Sequence, residues 1–196
     1  MGNRGGASPL LAWTRPVMNL ATKLMQLILS ALRNTDRPIP VYVWHAWLID
    51  FIPDILIAAI VVAAIVVAAL FGTDLSAETH SLLPSLTTSM LFWELVVKAP
   101  WTETLIMWPI LFLLRLILGN TIWVPVVSGL IWGNLHAFGG AQSGLSQIWG
   151  FFVLSVCFLE WEKKSKGLAI LVTGLSHTCT NLVAFLLLCL VWTLFD

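Results

Sequence analysis

The chain has 196 residues, 59% hydrophobic and only 10% charged, with ten basic and ten acidic groups and no net charge. A soluble domain carries about 25% charged residues, disorder requires low hydrophobicity with high charge, and a nucleic-acid binder shows a basic excess, so all three classes are excluded. What remains is an all-α integral membrane protein, a polytopic transmembrane helical bundle in contact with a lipid bilayer and with no nucleic-acid partner.

Residues 1–42 read as an N-terminal tail followed by an interfacial amphipathic helix, and residues 43–196 as the transmembrane bundle. From Leu10 to Leu32, apolar residues recur near helical spacing around Arg15 and Lys23, the pattern of a helix lying in the membrane interface. A spanning helix that tolerates the two charges is the alternative. Arg33, Asp36, Arg37, Pro38 and Pro40 form a polar, proline-broken linker. The first span runs over Val43–Phe71, with Asp50, Pro53 and Asp54 near its start, where the headgroups or the helix start would favour the carboxylates.

Residues 72–88 read as a polar loop with Asp74, Glu78 and His80. Met90–Val97 is apolar but short; extended back to Leu82 it either just crosses or is re-entrant. Lys98-Ala99-Pro100 reads as a turn between antiparallel spans, with proline at a helix start. Trp101–Leu118 is the next span, and Gly119-Asn120 turns the chain into Thr121–Phe138. A Gly/Ser loop over Gly139–Gln147, a short span over Ile148–Leu159, a charged loop over Glu160–Gly167 and a long final span over Leu168–Phe195 complete the chain. The total is five or six spans.

Arg4, Arg15, Lys23, Arg33 and Arg37 all precede the first span, which places the N-terminus in the cytoplasm. The lysine loop at Lys163, Lys164 and Lys166 then falls outside if Leu82–Val97 crosses and inside if it does not. Gly129, Gly133 and Gly174 are positions for close helix packing. Eight tryptophans, including Trp44, Trp93, Trp123, Trp149 and Trp161, fall near span ends, as interfacial belts require. Cys157, Cys179 and Cys189 lie in apolar runs and read as buried free thiols.

Ionisable and amide groups inside spans are costly and mark functional sites. Glu103, His136, His177 and Asn181 are such groups. The short turn at Gly119-Asn120 returns Glu103 and His136 to the same membrane face. His177 and Asn181 are four apart, on one helical face, where the amide could orient the ring. One carboxylate and two imidazoles could hold a water, the carboxylate acting as general base. Helix-dipole stabilisation of Glu103 and interfacial placement of His136 are the plain alternatives.

Ala99-Pro100-Trp101-Thr102-Glu103, Trp132-Gly133-Asn134-Leu135-His136 and His177-Thr178-Cys179-Thr180-Asn181 together resemble the CAAX-protease and bacteriocin-processing family. Its members, the prenyl-protein proteases and the Abi proteins among them, are intramembrane glutamic endopeptidases. Their motifs run Glu-Glu-x-x-x-Arg, Phe-x-x-x-His and His-x-x-x-Asn/Asp. The resemblance covers residues 85–192 and implies hydrolysis of a peptide bond in a membrane-anchored or lipidated substrate. It gives Glu103 and His136 the activation of water, and His177 and Asn181 the oxyanion. No cofactor is implied. Two histidines and a glutamate could ligate zinc, but no His-Glu-x-x-His motif is present.

Three positions depart from the family pattern. The second Glu is Thr104, the Arg is Trp108 and the Phe is Trp132. Arg115 is about 18 Å along the helix from Glu103 and cannot replace the missing Arg. The alternative expectation is therefore a catalytically inactive family member acting as a structural or assembly subunit among other membrane subunits.

Overall fold

The computed structural model describes residues 9–71, 87–137 and 141–195. The N-terminal residues 1–8, most of the expected polar loop with Asp74, Glu78 and His80, residues 82–86 and residues 138–140 lie outside the described residues. Six helices and no strand are found among the described residues. They are α1 (Pro9–Arg33), α2 (Ile39–Leu70), α3 (Thr88–Leu118), α4 (Trp123–Ala137), α5 (Ala141–Glu162) and α6 (Lys166–Phe195). Two of them, α3 and the Lys166–Leu190 stretch of α6, are long and apolar enough to cross a membrane. Five or six spans is a finer count than these two helices establish.

The bundle is built around α5, which packs against α4, α6, α2 and α1. Residues 150–158 of α5 are all buried, so this helix has no outward face over two and a half turns. A helix apolar all round belongs in the interior. The stretch of glycines and serines before it is helical from Ala141 rather than a loop, and α5 has 22 residues where a short span was expected. The reason is backbone proximity to α4. A Cβ on Gly129 would lie 2.5 Å from the Ile148 carbonyl oxygen, and one on Gly133 would lie 2.8 Å from that of Gly144. Gly129 and Gly133 are one turn apart, so α4 presents a bare strip on which the backbone of α5 rests. The charged loop also shrinks, because α5 ends at Glu162 and α6 starts at Lys166.

The largest departure from expectation concerns Lys98-Ala99-Pro100. No turn forms there, and Thr88–Leu118 is one rod of 31 residues. Pro100 has no N–H and its ring crowds the carbonyl one turn back. The chain absorbs this with a π-helical segment over Trp93–Lys98, in which the Ala99 N–H bonds the Glu94 carbonyl. The next carbonyl, that of Leu95, would need the N–H that Pro100 lacks. The Asn181 side chain donates to it instead, with Nδ2 at 2.8 Å from the Leu95 oxygen.

The same solution recurs in α2. Pro53 lies inside this helix and removes the donor for the Ile49 carbonyl. The indole Nε1 of Trp149 in α5 donates to that carbonyl at 3.0 Å. An unpaired buried carbonyl costs about 1–3 kcal/mol, so each cross-helix bond keeps a proline-containing helix continuous. Trp149 is thus an internal tie between α5 and α2, and Trp161 is buried edge-on to Tyr42 at 5.1 Å, packing that an interfacial belt does not require. Trp44, Trp93 and Trp123 are exposed, as expected for one.

Asp50 is not at a helix start, since α2 begins at Ile39. It is 3% exposed, and its Oδ2 accepts a 2.7 Å bond from the Thr180 hydroxyl of α6. Tyr42 ties α2 to α1 by donating to the Leu32 carbonyl at 2.6 Å, one of the carbonyls that a helix end leaves without a partner.

Candidate active site

Three helices bring three of the expected residues together. Glu103 sits midway along α3, His136 in the last turn of α4 and His177 near the middle of α6. The Glu103 carboxylate lies between the two rings. Its Oε1 is 3.7 Å from His136 Nε2 and its Oε2 is 3.5 Å from His177 Nε2. These separations exceed the usual 2.7–3.2 Å of a direct N–H···O bond. Glu103 is not in a first helical turn, since α3 extends fifteen residues before it, so the helix-dipole explanation of its position falls away.

Burial grades across the cluster. The His177 side chain is 5% exposed, that of Glu103 21% and that of His136 29%. One imidazole is therefore locked inside the bundle, while the carboxylate and the other imidazole reach its surface. His136 Nδ1 lies 2.9 Å from the Trp132 carbonyl oxygen. A carbonyl only accepts, so Nδ1 carries the hydrogen, and in the neutral ring Nε2 turns its lone pair toward Glu103.

Phe151 of α5 forms the floor of the cluster. It stacks on Trp132 with centroids 4.4 Å apart, lies 5.3 Å from the His136 ring and meets His177 edge-on at 5.4 Å. The sequence reading missed Phe151. It is one apolar residue in a run of nine buried ones, and no local signal separates it from its neighbours. Trp101, two residues before Glu103, lies over Gly174 of α6, where a Cβ would come within 2.9 Å of the indole. Gly174 therefore sets how closely the Glu103 helix approaches the His177 helix.

Asn181 does not orient His177. Its amide is committed to the Leu95 carbonyl, so it closes the π segment two turns before Glu103. Among the departures from the family pattern, Thr104 is fully buried, and Trp108 points away from the carboxylate toward the Lys166 ammonium, 5.0 Å from its ring. Arg115 pairs with Glu162, Nη2 to Oε2 at 2.7 Å, at the far end of α3. Among the described residues no group of His, Cys, Asp and Glu is gathered closely enough to hold a metal ion. No protein-family model, curated protein or solved structure matches the chain.

Proposed function

We propose that this chain is an intramembrane endopeptidase resembling the CAAX-protease and bacteriocin-processing family. The observation that carries the reading is the Glu103 carboxylate facing both Nε2 atoms, at 3.7 and 3.5 Å. With Nδ1–H of His136 held by Trp132, Nε2 and the carboxylate are two acceptors facing each other. A water molecule donating one hydrogen to each satisfies both. Glu103 takes one proton as general base, and the water oxygen attacks the peptide carbonyl carbon. His177, with hydrogen on Nε2, steadies the oxyanion. Collapse breaks the C–N bond, and Glu103 passes its proton to the departing amine. Asn181 takes the part of a positioning residue for α3.

In this reading α2 to α6 cross the bilayer, giving a multi-pass protein of five spans with α1 along the interface. Because α3 is one rod, the short junctions 34–38, 119–122 and 163–165 all lie at one end of the bundle. Arg33, Arg37, Arg115, Lys163, Lys164 and Lys166 gather there, which makes it the cytoplasmic end and puts the N-terminus on that side. Lys164 joins the 33–38 linker to this end by donating to the Thr35 carbonyl at 2.6 Å. Helix α4, of 15 residues, is about 22 Å long against about 30 Å of hydrocarbon, so His136 at its far end stays below the opposite surface. The substrate is a membrane-anchored or lipidated peptide that reaches the half-open carboxylate from the lipid side.

Thr104 and Trp108 supply none of the charge of the family's second Glu and Arg, and this favours a second reading, an inactive bundle serving as a subunit of a membrane assembly. One experiment separates the two. The full chain and Glu103→Gln are reconstituted in vesicles with a library of membrane-anchored peptides, and cleavage is followed by mass spectrometry. Cleavage by the wild type that is lost in Glu103→Gln supports the hydrolase. No cleavage by either supports the subunit, and equal cleavage by both removes the catalytic assignment of Glu103.

A further inference from the structure

The charged end of the bundle holds a cavity of about 880 Å³ between α1, α3, α4, α5 and α6. Four cations line it, Arg33, Arg115, Lys163 and Lys166, with two carboxylates, Glu160 and Glu162. Glu162 is consumed by Arg115 at 2.7 Å, while Glu160 is shared by Lys163 at 2.5 Å and Arg33 at 3.7 Å. Lys166 has no carboxylate partner among the described residues and lies against the Trp108 ring. The wall therefore carries four cations against two carboxylates, a surplus of two positive charges.

Apart from Asn120 and Thr121 in the 119–122 junction, the remaining wall is apolar. Trp108 and Phe112 of α3 line it, and both are exposed on the outer side, continuous with exposed Leu113, Leu116 and Ile117. The cavity thus has a cationic mouth at the end of the bundle and an apolar flank that opens sideways onto the lipid-facing surface of α3. A free anion has no use for that flank, and a neutral lipid has no use for the charge. An amphiphile with an anionic head and acyl chains complements both.

We propose that this cavity binds one anionic phospholipid, its phosphate held by Lys163 and Lys166 and its chains lying along Trp108 and Phe112. The volume is at the upper end of the range for small-molecule sites, and basic recesses between helices at the cytoplasmic side are suited to anionic headgroups. The site also bridges the end of α1 to α5, so the lipid fastens the N-terminal helix to the bundle. The inference rests on the membrane reading and is independent of Glu103 and of any hydrolysis.

The test is lipid retention by the full chain, purified in neutral detergent and measured by native mass spectrometry after incubation with equal amounts of phosphatidylglycerol and phosphatidylcholine. Phosphatidylglycerol is expected to be retained at least about 10-fold more, each lysine contributing on the order of 5-fold. The double variant Lys163→Gln/Lys166→Gln is expected to lose most of that preference. Lys98→Gln, which removes an exposed lysine from another part of α3, is expected to keep it. Thermal unfolding of the double variant in phosphatidylcholine alone verifies that it is folded. Equal retention of the two lipids by the wild type overturns the proposal, as does an unchanged preference in the double variant. Inorganic phosphate at the lipid concentration displacing phosphatidylglycerol also overturns it, in favour of a free-anion site.

Discussion

Asp50 and Glu103, both on helices of the bundle, are held in opposite ways. Asp50 is 3% exposed, is bonded at 2.7 Å by Thr180, and has its Oδ1 against Gly150, where a Cβ would be 3.0 Å away. Glu103 is one-fifth exposed and faces two imidazole nitrogens beyond direct bonding distance. Thr180 and His177 lie one turn apart on α6, so a single helix serves both groups. The difference teaches where chemistry is available. A short-bonded carboxylate sealed by backbone is a clamp between helices, whereas a longer-range, half-open one keeps lone pairs for a proton. An acidic side chain inside an apolar helix marks both residues; only their surroundings separate them.

The sharpest way to break this comparison is to neutralise each carboxylate and read both activity and stability. Glu103→Gln is expected to lower cleavage by about 10²–10⁴-fold while moving the thermal midpoint in detergent very little. If Glu103→Gln destabilises the bundle as much as a change at Asp50, the distinction between clamp and reactive group is lost. Gly133→Val is next in size. It forces a side chain into the Gly144 carbonyl and is expected to cost about 3 kcal/mol or more by denaturant titration, with loss of cleavage because His136 is carried away on α4. Asp50→Ala follows, expected to cost about 2 kcal/mol through the lost bond to Thr180 and the opened space. Cleavage per folded molecule should be largely kept.

The smallest effect compares the two proline repairs. Trp149→Phe and Asn181→Leu each strip one carbonyl of its donor, and each is expected to cost about 1–2 kcal/mol. They differ in consequence. The Leu95 carbonyl lies on the Glu103 helix, so Asn181→Leu is expected to lower the cleavage rate beyond its effect on folding. Trp149→Phe, acting on α2, is expected to leave the rate per folded molecule unchanged. Equal effects on rate would remove Asn181 as a positioning residue.

Much of the candidate site was legible before any coordinates. Glu103, His136 and His177 stand out because a polar side chain within an apolar helix needs a partner, and the turn at Gly119-Asn120 already pairs the first two. Gly129, Gly133 and Gly174 were read as close-packing positions, and each has a neighbour where its Cβ would be. Phe151 was invisible because packing neighbours across helices leave no mark on local spacing. The turn at Lys98-Ala99-Pro100 was a wrong expectation for a related reason. The rule that proline ends a helix is local, and the group that overrides it, Asn181, is 86 residues away from Leu95.

Apolar composition and interior polar residues, read one segment at a time, pointed to an all-helical chain with helices long and apolar enough to cross a membrane, and nominated the groups worth watching. The meeting of carbonyls and donors across helices was decided only in three dimensions. It made α3 continuous, turned Asp50 into a clamp, assigned Asn181 to the backbone and left Glu103 facing two rings. Helical periodicity is a property of neighbours in the chain, whereas satisfying a buried polar group depends on whichever helix happens to lie alongside it.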